Sequence, residues 1–239
     1  MAPLMSETLD AFMELYSGLP REGPGTVDSL LNVLEIADVP PLGRILDVAC
    51  GSGADCETFQ RALPAVELIG IDKQAAFIEA AEARGLNADF RVGDMLWPEG
   101  AFDLIWCAGA VYFFGAETVL EAWRSHLRPG GKVAFSEVVW LGQPSAAAKA
   151  FWAEAYPQMD SQNGLAARIE KSGFRVLSAE PLGRAGWDEY YGALRANAAR
   201  LKGQSAEMDA VCAETEVEIA TYDGHFGEFD YVMYLVEPI

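Results

Sequence analysis

The sequence predicts an α/β protein built on a parallel sheet, and three observations carry that prediction. Arg44 to Val48 reads as a short buried strand that breaks at Gly51-Ser52-Gly53 and passes into a helix starting near Ala54. A glycine turn between a strand and a helix N-terminus lets backbone approach a ligand and aims free N–H groups at it. From Arg44 onward, strand and helix signals alternate, the pattern of βαβ units around a parallel sheet. The second strand is followed by Asp72, 19 residues after Gly53, close to the offset at which a second-strand acid meets a ribose.

Taken in order, the chain opens with apolar positions at helical spacing over 5–18: Met5, Leu9, Phe12, Met13 and Tyr16. A glycine-bearing loop follows, Leu19-Pro20-Arg21-Glu22-Gly23-Pro24-Gly25. A second helix spans about 26–37, with Thr26 as N-cap and Asp28 in its first turn, and Pro40-Pro41 ends it. Strands are expected at 44–49, 66–71, 88–92, 102–107 and 131–136, and helices at 54–63, 73–84 and 116–127. Beyond Glu137 come helices at 145–156 and 161–172, a strand at 174–180, two long helices at 187–202 and 205–221, and a last strand at 229–236. One domain is expected over 1–239. It divides into an N-terminal helical lid (1–42), a ligand-binding core (43–137) and a second half (138–239) with a helical insertion at 187–222.

Apolar residues make up 51% of the chain, ample for a core, and the net charge is −19. Phosphate neutralisation needs clustered Lys and Arg, so no nucleic-acid partner is expected. The four cysteines (Cys50, Cys56, Cys107, Cys212) form no C-x-x-C pair and read as small buried residues. Only His126 and His225 are present, far apart in sequence, so no metal site is expected. Glu7 and Asp10 precede the first basic residue, Arg21, which is no signal-peptide pattern, and the longest apolar run, Leu104 to Ala116, is 13 residues. The expectation is a cytoplasmic monomer or homodimer with no membrane partner.

The glycine turn fits neither common competitor. Cys56 occupies the third glycine position of a dinucleotide fingerprint, and no Gly-Lys-Ser/Thr ending of a P-loop is present. The stretch instead resembles motif I of the class I S-adenosylmethionine (SAM)-dependent methyltransferases, an acid followed by x-G-x-G-x-G. Those positions here are Asp47, Ala49, Gly51 and Gly53, with Cys50 inside the turn and Ala49 departing from the pattern. Three further blocks stand in the family's order: Asp72 with Lys73 after the second strand, Gly93-Asp94-Met95 after the third, and Leu127-Arg128-Pro129-Gly130-Gly131 before the fifth. Arg21 to Gly25, Ser136-Glu137, and Phe151-Trp152 with Tyr156-Pro157 extend the likeness to a group of bacterial small-molecule methyltransferases of unassigned substrate.

The resemblance implies a Rossmann-like seven-stranded sheet with the last strand antiparallel and helices on both faces. It implies methyl transfer from SAM to a small-molecule acceptor, leaving S-adenosylhomocysteine; the alternative is a SAM-binding protein without methyl transfer, either other SAM chemistry or a regulatory module. Asp72 would meet the ribose, or simply cap the next helix; Asp94 and Met95 would meet the adenine, or Asp94 would only shape a turn. Ligands of such folds bind at the carboxyl ends of the strands, so Cys107 to Gly109 should border the sulfonium and Tyr112 should face the acceptor. For Tyr112, Phe113 and Phe114 the other reading is core packing. Glu137 is the candidate general base, with Tyr112 second; the other reading makes Glu137 a partner of nearby backbone N–H groups. Tyr16, on the lid, is placed at the cofactor, and with Trp140, Trp152, Tyr156, Tyr190 and Tyr191 is a candidate for an aromatic acceptor pocket.

Overall fold

A computed structural model describes residues 10–239 of the chain. Seven strands form one sheet: β1 Arg44–Val48, β2 Glu67–Asp72, β3 Asp89–Val92, β4 Phe102–Cys107, β5 Leu127–Trp140, β6 Phe174–Pro181 and β7 Phe229–Pro238. Their order is β3-β2-β1-β4-β5-β7-β6, and β7 runs antiparallel to both β5 and β6. The inner strands read as near-continuous apolar runs because helices cover both faces. Ile45, Leu104 and Trp106 pack with the helices α2 (Val27–Ala37), α3 (Ala54–Ala62) and α4 (Ala75–Ala83). Leu46, Ile105 and Phe135 pack with α5 (Ala116–Arg124) and α7 (Gln162–Lys171). Strand order reverses between β1 and β4, so their carboxyl ends open a crevice, the usual ligand site of such sheets.

A third cluster sits beyond the carboxyl ends. There the helix at residues 10–16 (α1) joins α6 (Ala146–Ala155), α8 (Gly183–Leu201) and α9 (Ala206–His225) over the extended ends of β5 and β7. On α1, Ala11 and Leu15 are buried, Tyr16 packs half-buried against the same cluster, and Phe12 is exposed; the predicted positions Met5 and Leu9 lie outside the described residues. Thr26 caps α2 as expected, its Oγ1 accepting from the Ser29 N–H at 3.0 Å.

Several boundaries differ from the sequence expectation, each for a tertiary reason. β5 continues to Trp140 because β7 pairs with it from Val133↔Val236 through Trp140↔Phe229. The Leu127 to Gly131 block does not precede β5 but is absorbed into it as an irregularity: Leu127 pairs with Phe102 and Lys132 with Leu104, with Gly130 at φ 80° between. α5 accordingly stops at Arg124. α8 begins four residues before the expected 187, since the buried Asp230 carboxylate of β7 accepts from the Gly183 N–H at 2.8 Å and caps it from outside. α9 runs one turn further than expected, to His225, carrying Tyr222 into a stack with Trp187. α4 starts at Ala75 because Asp72 Oδ1 accepts from the Gln74 N–H at 2.8 Å, holding the chain in a turn first.

Candidate functional site

The crevice begins at the glycine turn, where backbone conformation does most of the shaping. Ala49, Gly51 and Gly53 all take left-handed φ values, of 56°, 53° and 83°. The Cys50 N–H donates to the Ile71 carbonyl at 3.0 Å and ties the turn to β2. The Gly51 N–H donates to Asp72 Oδ2 at 3.0 Å, so the β2 carboxylate holds both its own turn and the glycine turn.

The two outer glycines have different tasks. Gly51 lines the cleft, and a Cβ there would fall 2.3 Å from Glu22 Oε2. Gly53 lines no cavity; a Cβ there would meet the Phe90 ring at 3.1 Å and Ala81 at 3.2 Å. Gly53 therefore serves close packing of α3 against the neighbouring layer, the role that Cys56 leaves vacant in the dinucleotide pattern.

A cleft of about 110 Å³ follows, with Asp47, Ala49, Cys50, Gly51 and Asp72 among its walls. Burial, and next to it the charge of Asp55, holds the Asp47 carboxyl well above the usual range; burial also raises Asp72. Two groups that sequence reasoning passed over complete it. Arg21 pairs with Asp55, which also accepts from Trp106 Nε1 at 2.8 Å. Glu22 Oε2 accepts from the Ser52 N–H at 3.2 Å, while Glu22 Oε1 is buried with no partner among the described residues. Burial raises the Glu22 carboxyl too. The available signal was the Arg21 to Gly25 block itself, part of the likeness noted in the sequence, whose charges solvent would hold at no cost if the loop stayed on the surface. Asp55, in the first turn of α3, and Phe77 were passed over in the same way.

Other expected contacts fall elsewhere. Cys107 is fully buried in β4 and lines neither cavity; Ala108, Gly109 and Ala110, one to three residues on, form the wall instead. β4 pairs with β5 as far as Cys107↔Phe135, so the crevice opens only past that point. Lys73 and Asp94 are solvent-exposed, Gly93 packs on Ile71, and Met95 packs into the core with its carbonyl accepting from Trp123 Nε1 at 2.6 Å; none of the four lines a cavity. Asp94 Oδ1 accepts from the Leu96 N–H, the turn-forming alternative.

A second cavity, of about 410 Å³, opens off the first. The two share Glu22, Gly23, Pro24, Phe77 and Gly109 as walls. Tyr16, Tyr112, Trp152, Tyr156 and Tyr190 line it, so Tyr16 belongs here and not to the first cleft. Tyr16 and Tyr190 hydroxyls lie 3.0 Å apart, joining α1 to α8. Trp140 and Tyr191 do not line it: Trp140 Nε1 donates to the Met159 carbonyl and the Tyr191 hydroxyl to Glu218 Oε1. Core packing does not describe Phe113 and Phe114, which are 65% and 46% exposed. Burial pushes the Tyr16 and Tyr156 hydroxyls up to about 12 and raises Tyr112 as well.

Glu137 was expected to emerge at the carboxyl end of β5. Because β5 runs on to Trp140, Glu137 is instead inside the sheet, opposite Val232 and 1% exposed, and lines neither cavity. Its Oε1 accepts from the Val138 N–H at 3.2 Å and its Oε2 has no partner among the described residues. Burial pushes its carboxyl up to about 8. When ionised, it lies close enough for its charge to raise Tyr112 and Tyr156, both on the cavity wall.

Comparison with known proteins adds to this geometry. A family profile described as a methyltransferase domain matches residues 45–131. Trans-aconitate 2-methyltransferase of Deinococcus radiodurans is 33% identical over 97 residues, 39% of this chain and 37% of that protein. Demethylmenaquinone methyltransferase of the same organism is 33% identical over 103 residues, 39% of this chain and 42% of that protein. This chain thus aligns with about two fifths of the length of these relatives. A SAM-dependent methyltransferase from Geobacter sulfurreducens, solved with S-adenosyl-L-homocysteine, superimposes with a TM-score of 0.84 at 22% identity, over 96% of this chain and 98% of that one.

Proposed function

Because this chain belongs to the class I SAM-dependent methyltransferases, we propose that it moves a methyl group from SAM to a small-molecule acceptor. The observation that carries the reading is the continuity of the two cavities: a polar cleft at the glycine turn shares the wall of Glu22 to Pro24 and Gly109 with an aromatic cavity.

The residues of the cleft fit the cofactor. Asp72 would take the ribose hydroxyls with the lone pairs that Gly51 and Gln74 leave free. Asp47 and the unpartnered Glu22 Oε1 suit the cofactor's positive charge, since four cleft carboxylates, Glu22, Asp47, Asp55 and Asp72, face one guanidinium, Arg21. SAM supplies an electrophilic methyl on a sulfonium leaving group, so the protein's work is alignment and exclusion of water. The loop 21–24 and Phe77 close the shared wall, and Tyr112 orients the acceptor from the aromatic side.

General-base catalysis by Glu137 does not suit this geometry: the carboxyl is 1% exposed and lines neither cavity, so no acceptor proton is within its reach. Tyr112 lines the aromatic cavity, and burial raises its hydroxyl, so little of it is ionised to act as a base. Glu137 is left as a buried carboxyl that accepts from the Val138 N–H, the alternative role of a partner for nearby backbone. The four cysteines are buried and unpaired, which suits a reducing compartment such as the cytoplasm, and no helix among the described residues is long and apolar enough to cross a membrane. The test is an acceptor-library screen on the purified chain, read as S-adenosylhomocysteine release. Release with a matching methylated product is the expected outcome. SAM binding without release for any acceptor would turn the reading to a SAM-binding protein.

A further inference from the structure

The aromatic cavity carries information about what the acceptor is. Of its 16 wall residues, 11 are aromatic and two are acidic, Glu22 and Glu218, and none is Lys, Arg or His. Aromatic faces are electron-rich and attract cations. Glu218 projects from α9 and lines this cavity alone, whereas Glu22 sits at the wall shared with the cofactor cleft. The one hydrogen bond to the Glu218 side chain among the described residues comes from the Tyr191 hydroxyl, to Oε1 at 2.8 Å, and no cation there pairs with it. Tyr16, Tyr112, Tyr190 and Tyr231, all on the wall, lie within reach of its charge. A carboxylate held in an apolar cavity is costly unless a positive group pairs with it.

We propose that this cavity takes a largely apolar organic cation, an amine-bearing molecule with an aromatic or aliphatic body, and that Glu218 is the carboxylate that reads its nitrogen. An anionic acceptor would bring a third negative charge among two carboxylates with no basic side chain to meet it. Glu218 does not line the cofactor cleft, so it determines specificity and stands outside the chemistry of methyl transfer. Burial raises the Glu218 carboxyl, and a bound cation would draw it back toward the ionised form. The inference rests on the proposed methyl transfer only in naming the occupant an acceptor.

The experiment is calorimetry on the full chain with tryptamine, and with indole-3-propionate, which has a similar body and the opposite charge. Tryptamine is expected to bind at least about tenfold more tightly, the scale of one charge contact with aromatic support. Glu218→Gln, which can still accept the Tyr191 hydroxyl, is expected to bring the two within about twofold. Indole-3-propionate binding as well as tryptamine to the native protein would overturn the proposal whatever the variant does. So would absent tryptamine binding, or a preference that survives in a Glu218→Gln protein with a normal melting curve. S-adenosylhomocysteine binding, measured in the same samples, separates the two readings. Its absence beside an intact tryptamine preference would fail the methyltransferase reading alone; its presence without the preference would fail this inference alone.

Discussion

The cofactor cleft and the aromatic cavity share a wall but are built on opposite principles. The cleft is mostly backbone: the turn at 49–53 and the start of α3 supply one wall, and the side chains that matter are short acids fixed by N–H groups or a neighbouring guanidinium. The cavity is mostly side chain, assembled from α1, the segment after β4, α6, α8, α9 and β7, elements up to about 200 positions apart. A site made of backbone tolerates little change in dihedral angle, because a left-handed φ or a missing Cβ admits few residues. A cavity made of packed rings is held by area and shape, and its stability is bound up with the core that supports it.

The largest effect expected from separating the two regions is at Trp187. It lies 4.7 Å from Tyr222 in a stack and donates from Nε1 to the buried Asp230 at 2.7 Å. Trp187→Ala should cost about 3–5 kcal/mol in denaturant unfolding, while S-adenosylhomocysteine affinity in the folded fraction stays within about twofold because none of the cleft's walls is removed. A parallel collapse of cofactor affinity would mean that the two regions are one unit.

Next comes Glu137, which lies near the cavity and not the cleft. Its folded carboxyl sits at about 8, above the usual value of about 4.3, so the folded state binds more protons between those limits. Stability from this group is therefore full below about pH 4 and is lost as pH rises through 8. Glu137→Gln cannot ionise and should remove that slope, making the variant more stable above pH 8 by a few kcal/mol and nearly equal to the native chain at pH 4. Melting curves from pH 4 to 9 decide this; a difference that does not change with pH would refute it. Turnover per folded molecule should fall modestly and not by orders of magnitude, since Glu137 lines neither cavity.

On the cleft side, Asp72→Ala should weaken SAM binding by about 1–3 kcal/mol, from both the lost ribose contact and the freed Gly51 N–H. Tryptamine binding in the cavity should not follow it. Unchanged SAM affinity by calorimetry would remove Asp72 from the cofactor site.

The smallest effect is at Ala49. A left-handed conformation costs a residue with a Cβ about 1 kcal/mol or more, and glycine relieves that at some cost in unfolded-state entropy. Ala49→Gly should therefore stabilise the chain by up to ~1 kcal/mol, read as a shift in denaturant midpoint. A clear loss of stability would show that the Ala49 methyl makes a contact worth more than the strain.

Much of this protein was legible because its signals are local. Periodicity and apolar runs placed all seven strands, since each strand's burial is written in its own residues. The turn at 49–53 was readable because left-handed backbone selects small residues within a few positions, and Asp72 because strand length sets its distance from that turn. The chain's own aromatic residues announced a second pocket, naming Tyr16, Trp152, Tyr156 and Tyr190.

What only the tertiary structure decided depends on partners distant in the chain. The β7 ladder carried β5 past Glu137 and buried it, and the β4–β5 pairing left Cys107 in the core with Ala108 to Ala110 at the wall. Phe90 and Ala81 gave Gly53 a packing task, and Asp230 started α8 early. Docking of the 21–24 loop on the glycine turn brought Arg21 and Glu22 into the cleft, and α9 brought Glu218 into the cavity. Local sequence limits the conformations a segment can adopt; whether a side chain meets solvent, core or ligand is set by which distant surface covers it.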